Sequence, residues 1–279
     1  MIKNKNSPFD HRLIFATCEI KSAMTLKTRL AANQLTVGSW ITLAHPAIAE
    51  IMARAGFDWL TVDMEHSVIT IREAEELIRV VSLCNVSALV RLTSNNADLI
   101  KRVMDAGASG IIVPMVNSRA DAESAVSSVN YPPLGKRGVG LARAQGYGPN
   151  FGAYREWLGS GGAVVMVMIE HIDAVRNLRE ILAVPGVDGY FIGPYDLSSS
   201  MGLAGQLEHP DVVAAIAEIR STAKAMGKPG GVHVIEPEPE KLRAFIAQGF
   251  TFLAYSLDMR MLDRTARMGL DSIAKERNK

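Results

Sequence analysis

From residue 36 onward, short apolar or β-branched runs alternate with longer stretches whose apolar residues recur at three- and four-residue spacing. The runs at 37–43, 59–63, 88–92, 110–115, 163–169, 189–192, 231–234 and 252–256 read as eight strands. The stretches at 46–55, 71–84, 97–106, 118–129, 174–182, 210–226 and 239–248 read as amphipathic helices. Several stop at glycine (Gly56, Gly107, Gly227, Gly249), the residue best able to end a helix. Strand–helix alternation predicts a parallel sheet. Eight units in about 225 residues favour a closed α/β (β/α)8 TIM barrel over an open doubly wound sheet. No G-x-G-x-x-G joins a strand to a helix at a dinucleotide-binding position, which weakens the open-sheet alternative. Residues 130–162, rich in Gly, Pro and aromatics, break the rhythm, and loops of that length usually carry function.

Composition narrows the picture. The 279 residues, 48% hydrophobic, suit one barrel domain over 24–279, with 1–23 as an N-terminal extension. Met24 opens a short amphipathic stretch, MTLKTRLAANQ, and is an alternative start. The net charge of +1 gives no electrostatic reason to expect nucleic acid or an anionic membrane as partner. No apolar run approaches the ~18 residues of a membrane span, and the apolar pieces before Met24 are too short for a signal-peptide core. Cys18 and Cys84 form no CxxC or Cys/His cluster, which suits a reducing cytoplasm.

In such a barrel the chemistry lies at the C-terminal ends of the strands. The polar residues there are Asp63, Glu65 and His66 after the second strand, Arg91 at the third, Glu170 and His171 after the fifth and Asp196 after the sixth. His233 lies on the seventh. Glu170 and Asp196 come from neighbouring strands, and two carboxylates completed by water suit a hard cation such as Mg2+ or Mn2+. The plainer alternative for each is helix capping. Arg91 at a strand end needs an anion, supplied either by a ligand or by a neighbouring acid. His66 has the chemistry of a general base, a further metal ligand or a satisfied structural group. Asp105, in LIKRVMDAG, reads on spacing alone as an ordinary surface acid.

In order, the segments VGSW (37–40), AGFDWLTVDMEHS (55–67), VRLTSN (90–95), DAGASGIIVPMV (105–116), YPPLGKRGVGLARA (131–144), MIE (168–170), GVDGYFIGPYDLSSSMG (186–202) and FTFLAYSLDMRML (250–262) are specific. With them the chain resembles the class II pyruvate aldolases of the HpcH/HpaI family, the 4-hydroxy-2-oxoheptanedioate and 2-dehydro-3-deoxyglucarate aldolases. The resemblance runs from about Met24 to Leu262. It implies reversible cleavage of 4-hydroxy-2-oxo acids to pyruvate and an aldehyde through a pyruvate enolate, with a divalent cation (Mg2+, Mn2+ or Co2+) on Glu170 and Asp196. It further implies that Arg91 stabilises the enolate and that His66, oriented by Asp105, forms an acid/base dyad. The backbone around Gly193 and Tyr195 would receive the pyruvate carboxylate, and Trp40 would line the mouth. A homohexamer with exchanged C-terminal helices is implied as well. No lysine falls within the eight predicted strands, in agreement with class II rather than Schiff-base chemistry.

Two positions depart from the family pattern. Met168 stands where Gln is usual, two residues before Glu170 on the same strand face, so a polar contact behind the metal ligand is lost. His233 stands where an apolar pocket residue is expected. It reads either as a hydrogen-bond donor to a polar aldehyde substituent or as a buried neutral side chain. The rival readings are an oxaloacetate decarboxylase, an acyl-CoA lyase of the citrate lyase β or malyl-CoA lyase type, and a catalytically degenerate keto-acid-binding barrel. The sequence shows no obvious basic surface for a nucleotide diphosphate, which weakens the second.

Overall fold

A computed structural model describes residues 24–274; the expected extension over 1–23 lies outside them. Eight parallel strands close into a barrel in chain order, each pairing with the next and β8 with β1. They are β1 Thr36–Ile41, β2 Trp59–Asp63, β3 Ser87–Arg91, β4 Gly110–Val113, β5 Val164–Ile169, β6 Gly189–Ile192, β7 Gly230–Val234 and β8 Phe252–Leu257. Twelve helices are described: α1 Leu26–Ala31, α2 Pro46–Arg54, α3 Ile71–Leu83, α4 Ala97–Asp105, α5 Arg119–Val129, α6 Phe151–Gly159, α7 Ile172–Arg176, α8 Leu178–Leu182, α9 Pro194–Ser200, α10 Pro210–Ala225, α11 Pro239–Ala247 and α12 Asp258–Asp271. Every strand and helical stretch expected from the pattern is present, with ends shifted by one or two residues. One stretch is split in two, because the chain breaks at Asn177 between α7 and α8.

Two apolar layers hold the barrel. Outward-facing strand residues pack with the helices in one cluster, and inward-facing Trp40, Trp59, Leu89, Ile112, Met166, Met168, Phe191 and Phe252 fill the interior. Glycine makes the aromatic packing possible. A Cβ at Gly38 would lie 2.0 Å from the Trp59 ring and one at Gly231 2.4 Å from Phe191. Helix α1 closes the N-terminal end by adding Leu26 and Leu30 to the interior cluster. Lys27 ties it to Asp188 at 2.6 Å, and Arg29 pairs with Asp58.

The long segment after α5 does not reach the mouth. It leads into the N-terminal end of β5 and packs on that side through buried polar bonds, Gln145 to the Tyr131 hydroxyl at 2.6 Å and Arg137 to the Tyr154 hydroxyl at 2.9 Å. No helix among the described residues is long and apolar enough to cross a membrane.

Candidate active site at the C-terminal mouth of the barrel

The end of β2 and the turn after it build the centre of the site. Asp63, 2% exposed, accepts from the Glu65 amide at 3.0 Å and the His66 amide at 3.3 Å, which fixes the turn. The same carboxylate grips Arg91 across β3 through two parallel bonds, Nε to Oδ1 at 2.8 Å and Nη2 to Oδ2 at 2.6 Å. The internal-acid alternative for Arg91 is therefore realised, and it positions the guanidinium. Arg91 also lies 4.2 Å over the Trp40 ring and 3.4 Å from Glu65. Trp40 is 1% exposed and supports the Arg91 guanidinium from beneath.

Three carboxylates gather beside this fork. Glu170 is 3% exposed, and its Oε1 accepts from the Met115 amide at 2.6 Å, where Met115 leaves β4 with φ of 52°. Burial pushes the Glu170 carboxyl up to about 7 against that bond, and the charges of Glu65 and Asp196 push the same way. Burial likewise pushes Glu65 up to about 7; Arg91 opposes the rise, while Asp63 and Asp196 add to it. Glu65 Oε2 is buried without a hydrogen-bond partner. Excess negative charge, an orphaned carboxylate oxygen and a second carboxylate with one oxygen free together form the donor set that a hard divalent cation satisfies. The residues present fit such an ion. Among the described residues, no group of three or more His, Cys, Asp or Glu is placed to hold a metal ion by itself.

The raised pKa values carry a sign. A carboxyl at about 7 in the fold and 4.5 when free stabilises the fold below pH 4.5 and loses that contribution as the pH rises through 7. Metal-stripped protein is therefore expected to melt at a lower temperature at pH 8 than at pH 6.5, and saturating Mg2+ should shrink the difference. A melting temperature that is flat or rising over that interval in stripped protein would show that the two carboxylates are not strained.

Asp196 sits exposed in the first turn of α9, near enough for its charge to act on Glu65 and Glu170. The Gly193 amide is spent on the Ile169 carbonyl at 3.3 Å, so the amides left for a carboxylate are those of Tyr195 and Asp196, which precede the first bond of the helix, Leu197 to Gly193 at 2.9 Å. Gly193 instead gives Glu170 room, since a Cβ there would lie 2.7 Å from Glu170 Oε2 and 2.8 Å from its Cβ. Gly193→Ala should therefore displace Glu170 and weaken divalent-cation binding by about 10–100-fold, measured by titrating activity with Mn2+. Unchanged affinity would mean that Glu170 does not bind the ion.

Met168 is 3% exposed, inside the barrel beneath Glu170, so no polar group backs the carboxylate on that side. His233 donates through Nε2 to the Ser256 carbonyl, 3.1 Å away, with its ring 5.7 Å from Trp40. Burial lowers its pKa to about 4, so it is neutral near physiological pH.

His66 projects from the mouth, 65% exposed, with Nε2 3.8 Å from Glu65. Asp105 does not join it. That residue ends α4, which leads into the N-terminal end of β4, whereas His66 follows the C-terminal end of β2. The two stand at opposite ends of the barrel, so the implied dyad does not form within one chain. Asp105 instead lines an outer cleft of about 430 Å³ with Arg72, Arg102, Arg143 and Tyr147. Its Oδ1 is buried and unpartnered, and burial raises its pKa.

Comparison with known proteins fits this geometry. The HpcH/HpaI aldolase/citrate lyase profile matches residues 36–264. The chain belongs to that family. It is 40% identical over 243 residues to the hydroxypyruvate/pyruvate aldolase of Sagittula stellata, spanning 87% of this chain and 94% of that one. It is 38% identical over 239 residues to the 2-dehydro-3,6-dideoxy-6-sulfogluconate aldolase of Pseudomonas putida, spanning 84% and 90%. The crystal structure of the HpcH/HpaI aldolase from Desulfitobacterium hafniense superposes with a TM-score of 0.82 at 35% identity, covering 90% of this chain and 97% of that one. Membership makes the protein a carbon–carbon lyase of the aldolase type.

Proposed function

We propose that this aldolase cleaves 4-hydroxy-2-oxo acids to pyruvate and an aldehyde, and joins them in reverse, with Mg2+, Mn2+ or Co2+ held by Glu170 and Asp196. The observation that carries the reading is the Asp63–Arg91 fork set against the Glu65, Glu170 and Asp196 carboxylates at one end of the barrel. A fixed cation beside a cluster of strained carboxylates is what an enolate flanked by a divalent ion requires. The ion supplies Lewis-acid stabilisation of the developing charge on the keto oxygen. Arg91, its Nε and Nη2 fixed by Asp63, keeps Nη1 free of that pair, and this donor would stabilise the charge on the oxygen. The Tyr195 and Asp196 amides receive the substrate carboxylate. Cleavage needs loss of the proton on the C4 hydroxyl, and His66, exposed at the mouth, accepts it.

Asp105 reaches His66 only from a second copy. The cleft around Asp105 and the exposed apolar residues Leu141 and Tyr147 of the adjoining segment supply the surface for one, so the active form is a homo-oligomer, a hexamer on family grounds.

Pyruvate release from a panel of 4-hydroxy-2-oxo acids, after stripping with EDTA and after adding back Mg2+ or Mn2+, tests this reading. Activity should fall to background and return with metal. Folded, metal-supplied protein that releases no pyruvate from any member would sink the proposal, and oxaloacetate and acyl-CoA thioesters would be tried next.

A further inference from the structure

The end of the barrel opposite the mouth holds a second cavity, about 560 Å³, between α10 and the loops that enter β7 and β8. Three cations border it. Arg220 and Lys224 lie four residues apart on α10, and Lys228 follows in the next loop. Among the described residues, no Asp or Glu lines it. Asp188, whose charge reaches Lys228, is already held by Lys27 at 2.6 Å and by the Val165 amide at 2.7 Å. Arg220 is fixed by a 2.6 Å bond to the Gln248 carbonyl and by the Phe250 ring, 5.3 Å away. The carbonyl end of α10 offers only about half a negative charge against these three.

A separate observation points the same way. Tyr190 is 3% exposed, and its hydroxyl lies 2.4 Å from where a Cβ on Gly230 would stand, so the glycine makes room for it. Tyr190 lines the cavity, and its hydroxyl makes no hydrogen bond to another described residue, so the O–H is open to the cavity's contents. A phenol so placed offers one donor to an occupant of the cavity. Burial pushes its pKa up to about 12, so it remains a donor at any physiological pH.

We propose that this cavity binds a small polyanion carrying at least two phosphoryl or carboxylate groups. One oxyanion accepts from the Tyr190 hydroxyl and Arg220. The other meets Lys224 and Lys228, and a short carbon skeleton rests on Phe250. The site is remote from the catalytic mouth and ties α10 to the strand-entry loops, so its occupant stabilises the barrel without entering the reaction.

The experiment is calorimetric titration of metal-stripped, dialysed full-length protein with pyrophosphate and, separately, with tricarballylate. Saturable one-to-one binding of either is the expected result, and the better of the two identifies the phosphoryl or polycarboxylate source. The double variant Tyr190→Phe, Lys224→Gln should bind at least about tenfold more weakly, with metal-restored pyruvate release unchanged. Lys224→Glu alone, at an exposed position, gives the same readout if the double variant does not fold. No saturable binding at millimolar concentration would overturn the proposal. So would binding that the variants retain, or binding that Arg91→Met abolishes, since that would place the anion at the mouth.

Discussion

Glu170→Gln is expected to abolish metal-restored pyruvate release, by about 10³-fold or more, while raising the stability of the metal-free protein. The two effects share one cause. In the fold the Glu170 carboxyl is buried and pushed up to about 7, so ionising it at pH 8 works against desolvation and against the charges of Glu65 and Asp196. Gln keeps an oxygen for the Met115 amide, now at 2.6 Å from Oε1, and removes the charge. The stripped variant should gain about 1–3 kcal/mol at pH 8, with each kcal/mol worth about 2–4 °C in Tm for a domain of this size. The gain should fade at pH 5, where the native carboxyl is itself protonated. A carboxylate kept at a stability cost and released from it by the ion is the trade expected of a metal site. If Glu170→Gln lost activity and stability together, Glu170 would be a structural acid and the ion would have to sit elsewhere.

The architecture was legible because barrel strands, buried on both faces, stand out as apolar runs and because glycines mark the helix ends. Glu170, Asp196 and Arg91 were legible as charges at the C-terminal mouth because each follows an apolar run, but the runs alone did not separate cation binding from helix capping, or a ligand of Arg91 from the internal acid Asp63. Three features were not. Asp63 and Glu65 were visible as acids at the end of β2 and just after it, but only the fold shows Asp63 gripping Arg91 through both of its oxygens and Glu65 with a buried, unpartnered oxygen. Strand alternation turns Asp63 inward at the end of β2, whereas Glu65 lies in the turn beyond and is placed by its amide bond to Asp63. The Met115 amide carries no side-chain signature, so its bond to Glu170 could not be read from residue type. Residues 130–162 looked functional by length and composition, but chain order puts a segment between a helix and the next strand at the N-terminal end, away from the mouth. The same rule, applied to Asp105 at the end of α4, separates it from His66 on chain order alone.

That separation yields the second large effect. His66→Ala and Asp105→Ala are each expected to lower kcat by about 10²–10³-fold, because each removes one half of a proton-transfer pair. Produced together in one cell and purified as mixed oligomers through two different affinity tags, they should recover activity. A site built from His66 of one copy and Asp105 of another is intact wherever an Asp105→Ala chain lends its histidine and a His66→Ala chain lends its aspartate. Random assembly makes that combination in roughly a quarter of sites. The recovered pH profile should match that of the unaltered enzyme, since the restored pair is chemically the same. Two folded variants that stay inactive in confirmed mixed oligomers would place Asp105 outside the reaction. The orphaned oxygen of Asp105 would then be explained by the Arg137 charge beside it within the same chain. Recovery, by contrast, has no explanation inside a single barrel, because no movement short of unfolding brings the end of α4 to the turn after β2.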